Sequence, residues 1–342
     1  MTRLATRTVR LALVGTGRIG THHAEALARH VPGVELTSVV DPDAAAAGRL
    51  GDALEVPSGS DPAALLATED LDGVVICAPA RFHADLVIAA LEAGKHVFVE
   101  KPMATTLADA DRVVAAADTA GTVLQVGFNR RFSPGFAAAR RAVVDGQIGT
   151  PQLLRSLTRD PGPFTADPTR IPQWTIFLET LIHDFDTLCW LNPGATPTRV
   201  NAMADALVRP DAKASGHLDT AVVTITFDNG AIATAEASFS ALYGYDVRAE
   251  VFGSAGMVTA GDGRATDMIL HLADGRHVDT SRADTDLLHT AYVGEFAAFA
   301  DAIRAQQPAV VGARDARTAL EIAHAAIRSI ENGTTVTVKD LR

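Results

Sequence analysis

Only two cysteines occur in 342 residues, Cys77 and Cys189, and both lie inside apolar runs. Two thiols exclude a disulfide framework and any zinc site built on cysteine alone, so both read as buried thiols. No uninterrupted apolar stretch is long enough to span a bilayer, so no membrane helix is expected. The N-terminal "MTRLATRTVR" has basic residues but lacks the apolar segment of a secretory signal, which makes the cytoplasm the expected location. Basic charge is in deficit: 30 Lys and Arg stand against 41 Asp and Glu, a net charge of −11. That balance argues against a nucleic-acid surface, which needs clustered Lys and Arg, but leaves a small-molecule site open. Internal repeats and low-complexity linkers are missing as well.

What is present is a large apolar fraction, 47% against 21% charged, in a chain long enough for two domains. Up to about residue 130, strands over 9–15, 34–41, 72–79, 95–102 and 122–129 alternate with helices. The helices start at Arg18, at Asp43, at Asp61 (N-cap, with Pro62 at N1), at Arg81 and at Thr106. These strands are continuously apolar, which calls for a parallel sheet covered on both faces. The pattern then changes. Helices are expected near 134–145 and 175–191, with a strand at 152–159 and a loop over 160–173 rich in Pro, Asp and Thr. Strands follow at 199–207, 220–228, 231–240, 246–253 and 267–272, then helices near 286–306 and 313–331 and a short strand in "TTVTV". "TAVVTITF" alternates as a half-buried antiparallel strand does, and Asn229-Gly230 is a hairpin signal. The prediction is an α/β protein: a dinucleotide-binding domain over 1–128 and a second α/β domain over 129–342 with a mainly antiparallel sheet.

"GTGRIG" at 15–20 sits between the first strand and the first helix. In that setting Gly15 permits the tight turn, Gly17 lets a pyrophosphate approach the backbone, and Gly20 allows close helix–strand packing. Arg18, Ile19 and Gly20 open the helix whose N-terminus would face the phosphates. Asp41 ends the next strand, where a carboxylate accepts hydrogen bonds from an adenosine ribose diol and repels a 2′-phosphate, favouring NAD over NADP. A nucleotide-free fold with a fortuitous glycine turn is the competing reading.

Ligands of open α/β sheets bind beyond the carboxyl ends of the strands. Ala78, Pro79 and His83 follow one such end, and Glu100, Lys101 and Pro102 follow another, placing a cation at the ligand edge. An ordinary surface lysine is the bland alternative. In "FLETLIHDFDTLCW" (177–190), Glu179, His183, Asp186 and Trp190 recur at helical spacing on one face, with Asp184 roughly 100° away. A histidine flanked by carboxylates suits a general base, because a carboxylate orients the ring and stabilises the imidazolium. A helix ion-pair network is the alternative. Zinc needs about three protein ligands and this face offers one histidine, so no metal is expected.

With "GTGRIGTHHAEAL", "VVDPD", "CAPARFHADLVIAALEAGKHVFVEKP", "GFNRRFSPGF", "SLTRDPGP", "IHDFDTLCWL" and "YGYDVRAEVFGSAG" in this order, the chain resembles the Gfo/Idh/MocA oxidoreductase family, in particular its inositol 2-dehydrogenase group. The resemblance implies a Rossmann domain followed by an α/β domain with a large open sheet, whose exposed face forms homotetramers or dimers. It implies a cis bond before Pro102, a catalytic lysine at Lys101 and a catalytic histidine at His183. Glu179 stands where the family has an aspartate, one methylene shorter, and "PQWTIFLET" replaces a Gly-Gly pair; both alter the pocket floor. Asp186 matches a second acidic position, and Arg159 and Asp160 a substrate-proximal loop. Tyr245 and Tyr292 match aromatic positions near the pocket, Arg130 falls near the site, and His23 and Phe82 match cofactor-side positions. The implied partner is a small polyol or sugar, and the implied reaction is oxidation of a secondary hydroxyl to a ketone by NAD. Two alternatives share the fold: an NAD-assisted glycosidase and a non-catalytic NAD-sensing regulator.

Overall fold

The computed structural model describes residues 7–162 and 171–341. The chain divides into two compact units, Met1–Phe132 with Thr290–Arg317, and Ser133–His289 with Thr318–Arg342. Among the described residues, no helix is long and apolar enough to cross a membrane.

The first unit contains β1 (Val9–Val14), α1 (Arg18–Arg29), β2 (Val34–Val40), α2 (Ala44–Leu54), β3 (Ser58–Gly59), α3 (Pro62–Leu66), β4 (Gly73–Ile76), α4 (His83–Glu92), β5 (His96–Val99), α5 (Leu107–Ala120) and β6 (Leu124–Val126). Its sheet is parallel throughout, in the order β3-β2-β1-β4-β5-β6. The order reverses direction at β1, the switch point where this kind of sheet opens a ligand crevice. Local chemistry explains the helix starts. Asp43, Asp61 and Thr106 each accept hydrogen bonds from first-turn amides, satisfying donors that a helix leaves orphaned. Leu11, Leu13, Val39, Val75 and Phe98 form the core on one face of the sheet, with Leu27 of α1.

That core is completed by a helix from much later in the chain, which the sequence reading grouped with 129–342. Phe296, Phe299, Ala300 and Ile303 all belong to the same buried cluster. Each fully buried phenylalanine contributes about 1.5–3 kcal/mol relative to an exposed one, which is what holds Thr290–Arg317 in this unit.

The second unit contains α6 (Pro134–Val144), β7 (Pro151–Arg159), a π-helical turn (Ile176–Thr180), α7 (Leu181–Trp190), β8 (Pro197–Asp205), β9 (Thr220–Phe227), β10 (Ile232–Ser238), β11 (Asp246–Gly253), β12 (Gly256–Ala260), β13 (Ile269–Leu272), β14 (Gly275–Val278) and α8 (Asp284–Leu287). Next along the chain come α9 (His289–Ala305), the core-completing helix of the first unit, and α10 (Ala313–Asn332) and β15 (Val336–Thr337). Seven strands form one sheet in the order β12-β11-β7-β10-β9-β8-β15. Only β7 and β10 pair in parallel; the other neighbours are antiparallel. The Asn229-Gly230 turn joins β9 to β10 as expected, with Gly230 at φ +88°. β10 presents Ala233, Ala235 and Ala237 on its buried face, and α7 packs on β7 and β10 over these small side chains. The opposite face is exposed. Cys77 is buried, as anticipated, but Cys189 is only half-buried. Most of the loop expected over 160–173 falls outside the described residues.

Candidate functional site

The glycine loop leaves β1 and enters α1. Gly15 has φ +99°, and a Cβ there would meet the Cys77 carbonyl carbon and the Ala78 amide nitrogen at 2.6 Å. Gly20 lies so close beneath Gly15 that a Cβ would stand 1.9 Å from the Gly15 carbonyl oxygen. Gly17 differs from both. It precedes α1 as N-cap without a side-chain cap, and apart from its chain neighbours no protein atom lies within 4 Å of where its Cβ would be. Nothing else packs against that position, so the fold does not need glycine there, and the position lies beside the start of α1, where Arg18, Ile19 and Gly20 open the helix.

Asp41 sits just beyond β2. Oδ2 accepts from the Thr16 amide (2.7 Å) and hydroxyl (3.0 Å), and Oδ1 accepts from the Asp43 amide (2.9 Å). Partial burial works to raise its pKa, but these hydrogen bonds outweigh it and hold the carboxyl below its ordinary 3.8. A fixed, ionised carboxylate is therefore tied to the glycine loop itself.

The strand ends beyond β4 and β5 are linked by His83, whose Nδ1 lies 2.8 Å from the Pro102 carbonyl oxygen and Nε2 2.6 Å from that of Ala78. The ring joins two backbone segments. Phe82 is exposed, with the Arg81 guanidinium over its ring. The Lys101–Pro102 bond is cis. Lys101 is half-buried, and its amide donates to Glu100 Oε2 at 3.0 Å. Glu100 is buried and its Oε1 lies 2.6 Å from Nε2 of His23, which is also buried. Burial works to raise the Glu100 pKa, but the His23 hydrogen bond and charge, with Lys101, hold it below 4.5. Tyr292 packs edge-on against His22 and His23 at 5.1 and 5.3 Å. Arg130 is buried in the short 3-10 turn Asn129–Phe132.

In the second unit, Glu179 falls in the π-helical turn and His183 in α7. A wider turn separates them, so the regular helical spacing that put both on one face does not run unbroken through this segment. Such turns recur at functional sites. Glu179 and His183 are half-buried, and Asp186 is buried. Arg159 lies on the open face of the sheet, donating to Glu236 at 3.3 Å and standing 3.8 Å from Asp246. Asp160 is buried, and Tyr245 is half-buried with its amide bonded to the Ser281 carbonyl oxygen.

Sequence reasoning set Asp184 off the His183 face and gave it no role. It is fully buried, accepting from the Ser156 hydroxyl at 2.5 Å and the Thr158 hydroxyl at 2.6 Å, both on β7. A charged residue on the apolar side of a helix is the signal that could have found it, because buried carboxyls need partners. Asp184 fixes the seating of α7 and with it the neighbouring His183. Asp184→Ala is expected to cost about 2–4 kcal/mol, since two buried hydroxyls lose their acceptor. Urea unfolding of the two proteins measures it; a loss under about 1 kcal/mol would contradict this role.

A family model described as the oxidoreductase family, NAD-binding Rossmann fold, matches residues 9–128, and one described as the GFO/IDH/MocA C-terminal domain matches 136–259. The chain is 35% identical to the myo-inositol 2-dehydrogenase of Thermotoga maritima over 97% of this chain and 99% of that protein. It is 36% identical to the NAD+-dependent scyllo-inositol 2-dehydrogenase of Bacillus subtilis, covering 95% of each. A crystal structure of scyllo-inositol dehydrogenase from Lactobacillus casei with bound NAD(H) and scyllo-inositol superposes with a TM-score of 0.93 at 27% identity, covering 97% of this chain and 100% of that one.

Proposed function

The chain belongs to the Gfo/Idh/MocA oxidoreductase family, and from that premise we propose that it is a dehydrogenase that uses NAD to oxidise a secondary hydroxyl of a cyclic polyol, an inositol or a related sugar, to the ketone. One observation carries the cofactor choice: the ionised Asp41 carboxylate, tied to the Thr16 amide, in a loop that leaves the space above Gly17 clear. Those residues fit an adenine dinucleotide. Asp41 would bind the ribose diol, and the amides at the start of α1 would face the pyrophosphate. The full-length similarity to inositol dehydrogenases supports the substrate class.

Bound NAD supplies the acceptor for the hydride of the carbinol carbon. In the proposed mechanism His183 takes the hydroxyl proton as general base, with Glu179 and Asp186 orienting the ring and favouring its charged form. Lys101 donates to the same oxygen and stabilises its developing negative charge. Arg130, Asp160, Tyr245 and Tyr292 are the candidates for holding the polyol; Arg159, on the open face of the sheet away from α7, is set aside. Glu179, longer than the family aspartate, would shape the pocket floor and so the choice among isomers.

The test is NADH formation across inositol isomers, aldoses and glycosides, with NAD and NADP compared. An inositol or sugar oxidised with NAD, and far more slowly with NADP, is the expected result. Free sugar released from a glycoside without net NADH would make the protein a glycosidase. Tight NAD binding with no turnover of any polyol would make it a regulator.

The open face of the second unit's sheet supports a homo-oligomer, dimer or tetramer. Met257, Phe252, Leu153 and Ile232 are direct neighbours across β12, β11, β7 and β10 and are 54%, 44%, 54% and 46% exposed. A row of apolar side chains on four strands is a surface that a second copy would cover. Phe252→Glu is expected to shift the sedimentation of the protein toward monomer; an unchanged oligomer would move the interface elsewhere.

A further inference from the structure

Behind the Glu100 carboxylate lies a second one with no evident role in binding or turnover. Glu295 of α9 is fully buried, and neither of its oxygens has a hydrogen-bond partner. Its main-chain carbonyl is fixed by the Gln125 side-chain amide at 2.7 Å, so its position is set by the fold. Ligand-type atoms of His23, Glu100 and Glu295 all lie within 4.8 Å of one another. Other titratable groups meet the cluster from several elements: Cys77 after β4, whose thiol feels both carboxylates; Lys101 beside Glu100 after β5; and Tyr292 of α9, which packs on His23 and on His22 of α1. The rings of Phe98 and Phe296 stand edge-on to His23 and keep water away.

Two carboxylates cannot both stay charged here. Glu100 has the donors, from His23 and the Lys101 amide; Glu295 has none. A metal shared by the three is disfavoured by the 2.6 Å contact between His23 and Glu100, because two ligands of one zinc-sized ion stand roughly 3.3 Å apart. We propose that Glu295 is a positioning residue held as the neutral carboxylic acid, so that the one negative charge of the cluster stays on Glu100, where it anchors the amide of Lys101. Burial, and then the charge of Glu100, push the Glu295 pKa well above 4.5, in agreement with that assignment. Once Glu295 ionises, a second buried negative charge competes with Glu100 for the same donors, and the lysine loses its anchor.

The sign of the pH effect follows. With a folded pKa above the unfolded 4.5, Glu295 costs nothing in acid, where both states are protonated. Its penalty grows as pH rises from there to the folded pKa, because only the unfolded state ionises freely. Glu295→Gln copies the neutral acid and removes this term. The variant should match wild type in melting temperature at about pH 4 or below and exceed it by about 2 °C or more at about pH 8. A protonated-carboxyl carbonyl band should disappear from its infrared spectrum at neutral pH. Its kcat should stay within about twofold of wild type at neutral pH and persist to higher pH. The kinetic arm rests on the dehydrogenase reading and on Lys101 acting in it; the infrared and melting arms do not, so they stand even if no polyol is oxidised. No lost carboxylic-acid band, or a melting difference that is the same at both pH values, would overturn the proposal. So would stabilisation of the wild type by zinc ion that Glu295→Gln abolishes.

Discussion

Lys101→Ala is expected to lower kcat by a factor of about 10²–10⁴ while NAD+ binds with a Kd within a few-fold of wild type. The separation follows from where the structure places each part. The backbone of residue 101 is held from the Glu100 side chain, through the amide, and an alanine keeps that bond. Asp41 and the glycine loop, the groups assigned to the dinucleotide, are tied to each other through Thr16 and Asp43. What is lost is the ammonium that would donate to the reacting oxygen. An interaction that strengthens in the transition state appears in kcat and kcat/KM together. Steady-state kinetics and NAD+ titration by calorimetry measure the two effects separately. A kcat within about tenfold of wild type would remove Lys101 from the acid–base role. Lost NAD+ affinity with intact kcat would make it a cofactor ligand instead.

The parallel sheet was legible because its strands are continuously apolar and its helices carry their own start signals at Asp43, Asp61 and Thr106. The glycine loop and Asp41 were legible for a related reason: their chemistry is local, within one β-α-β stretch. Contacts between distant segments were not. Helical periodicity identifies α9, but nothing in it says which core Phe296 and Phe299 enter. The His23–Glu100–Glu295 cluster joins three segments that no spacing rule connects, although two of its members stood in recognised motifs. The π-helical turn at Ile176–Thr180 escaped because a single wider turn leaves no periodic trace, and it interrupts the stretch where the face holding Glu179 was counted out residue by residue. β13 and β14 are almost wholly exposed, so β14 shows none of the alternation by which a half-buried strand is recognised. Asp184 was read by its angle from His183, whereas its importance lies in Ser156 and Thr158 on another element.

Gly20→Ala and Gly17→Ala are expected to fail in different ways, although the motif treats both glycines alike. A methyl on Gly20 would stand 1.9 Å from the Gly15 carbonyl oxygen and 3.3 Å from the Cys77 side chain, an overlap with backbone that no side-chain rotation relieves. Either α1 lifts from β1 or the turn at Gly15 opens, and Gly15 at φ +99° is itself closed in by Cys77 and Ala78. Overpacking of this kind costs about 1–3 kcal/mol or more, so Gly20→Ala should lower the melting temperature of the NAD-free protein and lose NAD+ affinity with it. A methyl on Gly17 meets no protein atom beyond its chain neighbours and adopts an ordinary φ of −69°. That variant should melt within about 1–2 °C of wild type. Its methyl would occupy the clear space beside the helix N-terminus, so NAD+ affinity should fall by about tenfold or more, with the stability unchanged. Thermal melts without NAD+ and calorimetric titrations with it distinguish the two. If Gly17→Ala bound NAD+ as tightly as wild type, the space above that residue would not be where the pyrophosphate lies, and the cofactor assignment of the loop would fail with it.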